Sequence, residues 1–425
     1  MPATASSGEA IASNSAASAA SSGRVNAGYR SPAPENQWLR TGHRTVPAHD
    51  MRILYLHQFF ITRAGVGGTR SYEFARRFVE RGHAVRMVTA QEGEAGVRSV
   101  DGIEVVGVRG AYSEYMQATA MSDARRMAAF ARFAAGATLA ALRGPRPDVV
   151  YATSPPLTMA LPALAARLRW RAPLVFEVRD LWPEAPIQMG ALRNPLAQRL
   201  ARALERFVYA RSTRVVALSP GIRAALPADR SVLIPNAADL DLFTPAPPPG
   251  EFLVSYFGTL GEANDVTAAV EAARRLPDMR FVIMGDGKRR AELERGAPPN
   301  VEFRSGTKEE VARLAAESSV CLTLFKDVPV LATNSPNKLF DTFAAGRPAI
   351  VNMDGWMREL VERNEAGAYV RPGDADELAG KLAWLRDNPD VAERMGRNAR
   401  ALAEREFGRD ELAARALAVL EEAAR

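Results

Sequence analysis

From Met51 onward, short apolar runs alternate with segments whose apolar residues recur every three or four positions. The runs read as strands and the segments as amphipathic helices. The first half predicts strands at 53–56, 84–89, 103–108, 148–151, 173–178, 213–217 and 232–234. Helices are expected at 71–81, 121–142, 157–169 and 195–210. A Pro-rich stretch at 244–250 reads as a stiff linker. Alternation then restarts, with strands at 252–257, 280–284, 301–303, 320–325, 349–351 and 368–370 and helices between them. This rhythm predicts an α/β fold of two Rossmann-like domains, 51–243 and 251–408, each on a parallel, doubly wound sheet. A terminal amphipathic helix over 409–425 is expected to pack back on the first domain. Ligands of such sheets bind at the carboxyl ends of strands, so the central cleft between the domains is the expected site.

Residues 1–50 break the pattern. They are rich in Ala and Ser with scattered Gly and Pro, a composition expected to stay disordered. Met51 would serve equally as a start, which would make the tail dispensable. The remaining composition is that of an ordinary globular protein, with 47% apolar and 24% charged residues. The net charge of +6 is spread over helical faces, which fits anionic ligands or an anionic membrane and argues against a nucleic-acid partner. The basic amphipathic stretch 121–142, with Arg125, Arg126 and Arg132, is a candidate for peripheral membrane contact. A single cysteine, Cys321, excludes a disulfide framework and a Cys-based metal site, and points to a reducing cytoplasm. No apolar run is long enough to span a bilayer. The four histidines all lie in the first fifth of the chain, which argues against a Ser-His-Asp hydrolase or a His-rich metal site.

The stretch 333–350 has the densest chemistry. Asn334 or Ser335 is positioned to cap a helix that Pro336 opens and Gly346 ends. Its first turn offers amides, Asn337 and the cation Lys338 for phosphates, and Asp341 for sugar hydroxyls. A plain surface helix with a Lys338–Asp341 ion pair explains the same spacing. Gly258 and Thr259 follow one predicted strand, and Gly285, Asp286 and Gly287 follow the next. Three loops therefore converge on one sheet edge. In the first domain, Gly67, Gly68, Thr69 and Arg70 form a loop after the first strand, which His57 ends. The loop lacks the Gly-Lys-Ser/Thr of a phosphate-binding P-loop, so NTP hydrolysis is not expected. Arg179, Asp180 and Glu184, around Trp182, follow the strand at 173–178 and are candidates for catalysis or sugar binding. An ion pair beneath a tryptophan would account for them too.

Together these residues resemble glycosyltransferase family 4, the retaining enzymes of the GT-B fold that use nucleotide-sugars. The likeness runs from Met51 to the C-terminus. It is carried by Ile234-Pro235-Asn236-Ala237-Ala238-Asp239, Gly258, Gly285-Asp286-Gly287, Asn300-Val301-Glu302-Phe303 and the stretch 333–350. Asp180-Leu181-Trp182-Pro183-Glu184 and Ser335-Pro336-Asn337-Lys338 resemble the fucosaminyl-type transferases of O-antigen and capsule assembly. The resemblance implies a nucleoside-diphosphate sugar, a UDP-sugar, held by the second domain. It implies a glycan or polyprenyl-linked acceptor on the first, no metal and no cofactor, and a place at the inner face of the plasma membrane. The sequence also departs from the family. Its paired glutamates fall on Thr333 and Asp341, a loop Arg and Lys on Thr259 or Leu260 and Asn264, a histidine near Arg179, and a turn glycine on Ala237. Lys326 and Lys338 are expected to supply the missing positive charge. A nucleotide-sugar epimerase on the same fold and a non-catalytic nucleotide-sugar-binding protein are the rival readings.

Overall fold

The computed structural model describes residues 50–65, 67–91, 95–109, 123–247 and 250–425. The tail, with His43 and His49, lies outside them, as do most of the predicted side chains at the start of 121–142. The first sheet contains β1 (Arg52–Leu56), β2 (Ala84–Gln91), β3 (Gly96–Val100), β4 (Ile103–Arg109), β5 (Val149–Ser154), β6 (Leu174–Val178), β7 (Arg214–Ala217) and β8 (Ser231–Leu233). Their order is β3-β4-β2-β1-β5-β6-β7-β8. Helices α1 (Arg70–Glu80), α2 (Asp123–Ala141), α3 (Ala160–Trp170), α4 (Glu184–Gln188), α5 (Pro195–Arg211) and α6 (Pro220–Ala224) fill the crossovers. Strands β5 and β6 are buried along their whole length, as helices on both faces require.

One strand departs from the expected all-parallel sheet. β3 pairs antiparallel with β4. Its sequence, Gly-Val-Arg-Ser-Val, carries little apolar signal, and Val97 is exposed. The local cue is the turn that follows. Asp101 and Gly102 both have positive φ, 48° and 79°, the geometry of a two-residue hairpin turn.

The second sheet has six strands: β9 (Leu253–Phe257), β10 (Arg280–Met284), β11 (Val301–Arg304), β12 (Val320–Thr323), β13 (Ala349–Val351) and β14 (Gly367–Tyr369). All pairings are parallel, in the order β11-β10-β9-β12-β13-β14. Between and after them run α7 (Val266–Arg275), α8 (Arg290–Gly296), α9 (Lys308–Glu317), α10 (Asn337–Ala344), α11 (Trp356–Arg363), α12 (Ala375–Asp387) and α13 (Pro389–Glu406). Cys321 lies fully buried in β12.

The chain crosses between the sheets twice, and the crossings touch. Ala238 donates to the Phe407 carbonyl at 2.8 Å and bridges to Gly408. The last helix, α14 (Arg409–Ala424), then buries Leu412, Leu417 and Leu420 in the first domain's core. Each buried leucine contributes roughly 1.5–3 kcal/mol, enough to hold the returning helix. Arg77 on α1 bonds Asp410 at 2.5 Å, and Arg347 pins the linker by donating to the carbonyl of Ala246 at 3.0 Å.

Candidate active site

The loops at the carboxyl edge of the second sheet are in backbone contact. A Cβ on Gly285 would stand 1.9 Å from the Gly258 carbonyl oxygen, so no side chain fits there. Leu260 donates to the Asp286 carbonyl at 2.8 Å, and the Asp286 carboxylate turns back to the Gly287 amide. Lys338, in the first turn of α10, points into this edge. Its Nζ donates to Tyr256 Oη at 2.8 Å and Asn264 Oδ1 at 2.9 Å. It also stands 4.2 Å from the Tyr256 ring centroid and 5.3 Å from that of Phe325. Among the described residues no carboxylate pairs with it. Burial pulls its ammonium down to about 7. A Cβ on Gly258 would reach 3.1 Å from Nζ, so this glycine keeps the lysine's flank open. Thr259 is exposed just beyond. Lys326 pairs with Glu262 at 2.9 Å on the exposed side, a contact of little energy.

The start of α10 differs from the expected cap. Pro336 is the N-cap, and no side chain caps the first turn. Ser335 instead accepts the Asn236 amide at 3.3 Å and, through its carbonyl, the Asn236 side chain. The Asn334 carbonyl takes Trp356 Nε1 at 2.9 Å. Both residues are thus used to join the helix to other segments. Asp341 does not pair with Lys338, so the simple i,i+3 pair is not formed. It is 2% exposed, with Lys308 on one oxygen. Its other oxygen is buried without a hydrogen-bond partner, and burial raises its pKa. Thr333, where the family has a carboxylate, donates to the Val330 carbonyl at 2.7 Å.

Across the cleft, the β1–α1 loop meets the second domain at Gly68. A Cβ there would lie 3.0 Å from Asn337 Nδ2 and 3.3 Å from an Arg179 guanidinium nitrogen. Arg179 also approaches His57 Nε2 at 3.4 Å, while His57 Nδ1 meets Ser71 Oγ at 2.8 Å. Burial, then Arg179, keeps His57 well below its usual pKa. The pattern assigns the neutral ring with its proton on Nδ1, since Arg179 can only donate.

Two expected loop residues turn inward. Arg70 is 3% exposed. It bonds Glu177 at 2.9 and 3.0 Å and the carbonyls of Pro235 and Ile234 at 2.6 and 3.0 Å. Tyr151 completes the set by donating to Glu177 at 2.5 Å. Thr69 is buried and accepts from Arg409 at 3.2 Å. Neither is placed to hold a phosphate, and of the four expected loop residues Gly67 and Gly68 remain. Glu184 gives its carboxylate to Arg202 at 2.8 Å and does not line the cleft's cavity. That leaves Asp180, which does line it, has no hydrogen-bond partner among the described residues, and is raised in pKa by burial against the opposing pull of Arg179.

Sequence patterns missed Tyr256, Lys308 and Tyr151 because each reads as an ordinary strand aromatic or helix-start lysine. Only their long-range partners give them a role.

This arrangement is matched by known families. Residues 65–237 match the glycosyl transferase 4-like domain, and residues 251–388 match the glycosyl transferases group 1 domain. Each of the two facing sheets thus carries a glycosyl transferase domain match, and the arrangement is that of the GT-B fold. The chain is 28% identical over 159 residues to alpha-D-kanosaminyltransferase of Streptomyces kanamyceticus, covering 35% of this chain and 40% of that protein. It is 22% identical over 357 residues to the sulfoquinovosyl transferase SQD2 of Arabidopsis thaliana, covering 78% and 66%. The match thus spans less than two thirds of either relative's length. Among solved structures, sucrose-phosphate synthase of Thermosynechococcus elongatus superposes with a TM-score of 0.71 at 17% identity over 88% of this chain and 98% of that one. HepE of Anabaena, solved with UDP-glucose, gives 0.67 at 17% identity over 88% and 100%.

Proposed function

We propose that the protein moves a sugar from a nucleoside-diphosphate donor, a UDP-sugar, to a hydroxyl of a glycan or lipid-linked acceptor, with retention at the anomeric carbon. The observation that carries this is Lys338. It is a lysine without a carboxylate, held beside the open flank of Gly258 at an uncapped helix start. A diphosphate would supply the missing anion and restore the proton that burial removes. The orphan oxygen of Asp341 is assigned to a ribose hydroxyl, since an unmet buried acceptor costs about 1–3 kcal/mol. Asn337, Ser335 and Asn334, at the start of the same helix, are assigned to the donor as well. HepE, bound to UDP-glucose on the same fold, supports a UDP-sugar.

In the transfer, the acceptor oxygen bonds the anomeric carbon as that carbon's bond to the diphosphate oxygen breaks. The electron pair leaves with the diphosphate, which takes the acceptor's proton. Lys338 and the loop amides would stabilise the departing charge, Arg179 would bring a second cation from the first domain, and Asp180 would orient the acceptor hydroxyl. A role in cell-surface polysaccharide synthesis and independence from metal belong to the proposal. A binding protein that never turns over is the second reading, favoured by Thr333 in the place of a carboxylate. Donors of differing base and sugar, read by released nucleotide with and without acceptor, decide between them. Release from one donor is expected, and tight binding of that donor with no release in any mixture would favour the second reading.

Peripheral membrane contact is also proposed. No described helix is long and apolar enough to cross a membrane. However, α2, α3 and α5 lie side by side and expose Leu139, Leu168, Leu196, Leu200 and Phe207, with Arg199, Arg206 and Arg211 among them. Flotation with anionic vesicles is expected, and a protein left at the bottom of the gradient would remove this part.

A further inference from the structure

Beside the cleft, the segment after Asp180 walls a cavity of about 350 Å³. Its lining is apolar: Leu157, Trp182, Met189 and Leu204 from the first domain, Leu331 from the second. Phe130 meets Trp182 edge-on at 6.2 Å. Three polar residues interrupt this wall, Thr158, Asp180 and Asn334, and two of them lack partners. Among the described residues, Thr158 Oγ1 is sealed from solvent with no hydrogen-bond partner, and the half-buried Asp180 carboxyl, which lines the cavity, has none either. Buried polar atoms of native proteins are nearly always paired. The unpaired Thr158 hydroxyl, with the partnerless Asp180 carboxyl on the same largely apolar wall, therefore marks where a ligand brings the partner. The volume is that of a small-molecule site, and the composition is the usual one: apolar walls with a few orienting groups.

We infer that this cavity takes an apolar group of the acceptor, next to the hydroxyl that receives the sugar, with that hydroxyl held by Asp180 and Thr158. The inference rests on the transfer reading above and narrows its acceptor from any glycan to an amphiphile. A flexible alkyl or isoprenyl chain and a compact apolar ring offer the same chemistry to these walls. The second domain contributes Leu331, Ala263 and Asn334 to the lining, so filling the cavity also joins the two domains across the cleft.

The test is direct binding, which needs no turnover. Methyl to decyl glucosides, kept below their micelle concentrations, are titrated into the full chain by calorimetry with and without UDP, alongside phenyl and naphthyl glucosides. Each buried methylene is worth about fourfold in affinity. The dissociation constant should fall by about that factor per carbon and level off once the cavity is full. A gain confined to alkyl glucosides assigns a chain, and an equal gain with the aryl glucosides assigns a compact ring. Affinity independent of the aglycone in both series overturns the inference.

Ala201→Phe narrows the cavity and should flatten the dependence on chain length. Retained UDP binding by that variant shows that it folds. Asp180→Asn should weaken the whole alkyl series by one common factor and leave its slope intact. A slope unchanged by Ala201→Phe would place the apolar group elsewhere. Nucleotide release from UDP-glucose in the same mixtures reports separately on transfer, so that reading can fail while the slope stands, or stand while the slope fails.

Discussion

At the edge of the first sheet, Arg70 and Glu177 are both buried and spend their charge on each other. At the edge of the second, Lys338 meets, among the described residues, a phenol, an amide oxygen and two aromatic rings, and no carboxylate. Both edges come from the same strand-loop-helix topology. What separates them is whether the cation's counter-charge belongs to the chain. In the first domain it does, and the pair fastens α1 and β6 to the carbonyls of Ile234 and Pro235 near the crossing. In the second domain the counter-charge is left for a ligand. A buried pair with matched charge supports the fold, and a buried charge left unmatched binds.

The hinge between them follows the first pattern. Glu73 collects Arg63 at 2.6 Å and Arg77 at 2.5 Å, and these arginines hold its pKa down near 2 although burial alone would raise it. Arg409 reaches Thr69 at 3.2 Å and Asp239 at 3.5 Å. The Arg409 contact of Thr69 and the Glu177 pair of Arg70 consequently anchor the β1–α1 loop from behind Gly67 and Gly68.

The sharpest break of the comparison is Glu177→Gln. It leaves Arg70 charged, buried and half-partnered, which should cost about 3–5 kcal/mol of stability. Denaturant unfolding reads the loss. The surviving folded protein should bind UDP as the unaltered chain does, and an affinity that falls together with stability would mean that the Arg70–Glu177 pair takes part in donor binding.

Lys338→Met should do the reverse. Removing a charge-assisted contact costs roughly 1.5–3 kcal/mol, or about 10- to 150-fold in UDP affinity. Uridine, which has no phosphate, should bind almost as before, and the gap should shrink at high salt. Stability should hold or rise, because a cation without a counter-charge leaves the interior. Equal losses for UDP and uridine would take the phosphates away from this lysine.

The smallest effect concerns pH. The Lys338 ammonium is depressed from 10.5 to about 7. Between those values the unfolded chain holds a proton that the folded chain lacks, so stability should rise with pH across that window, and as pH falls it should drop towards 7 and level off below it. A bound diphosphate restores the proton. UDP binding should therefore take up protons above pH 7 and weaken by at most about tenfold per pH unit. Calorimetry in buffers of differing ionisation enthalpy measures the uptake, and Lys338→Met should abolish it.

Several features were legible from local pattern. Apolar runs bounded by glycine and proline gave the strands at 280–284 and 349–351 to the residue. Gly258 and Gly285 marked loops gathering on one sheet edge, where the backbones pass so closely that a Cβ on Gly285 would lie 1.9 Å from the Gly258 carbonyl oxygen. Other features misled. Asn334 and Ser335 are good capping residues, yet tertiary partners took them. Arg70 and Glu184 looked like free site charges until Glu177 and Arg202 were seen to hold them. The hairpin of β3 was hidden because its strand is short and polar, although Asp101-Gly102 signalled it.

The sequence by itself determined the alternation of strand and helix, the division into two sheets and the edges where loops gather. Those follow from period and punctuation, which act over a few residues. Only the tertiary structure decided which charges are spent and which are free. Arg70 finds Glu177 across 107 positions, and Lys338 finds Tyr256 across 82. Hydrophobic period fixes which face of an element is buried, but it carries no information about which distant residue that face will meet. The free lysine and the apolar cavity beside Asp180 are properties of those meetings, set by how two separately folded sheets close on one another.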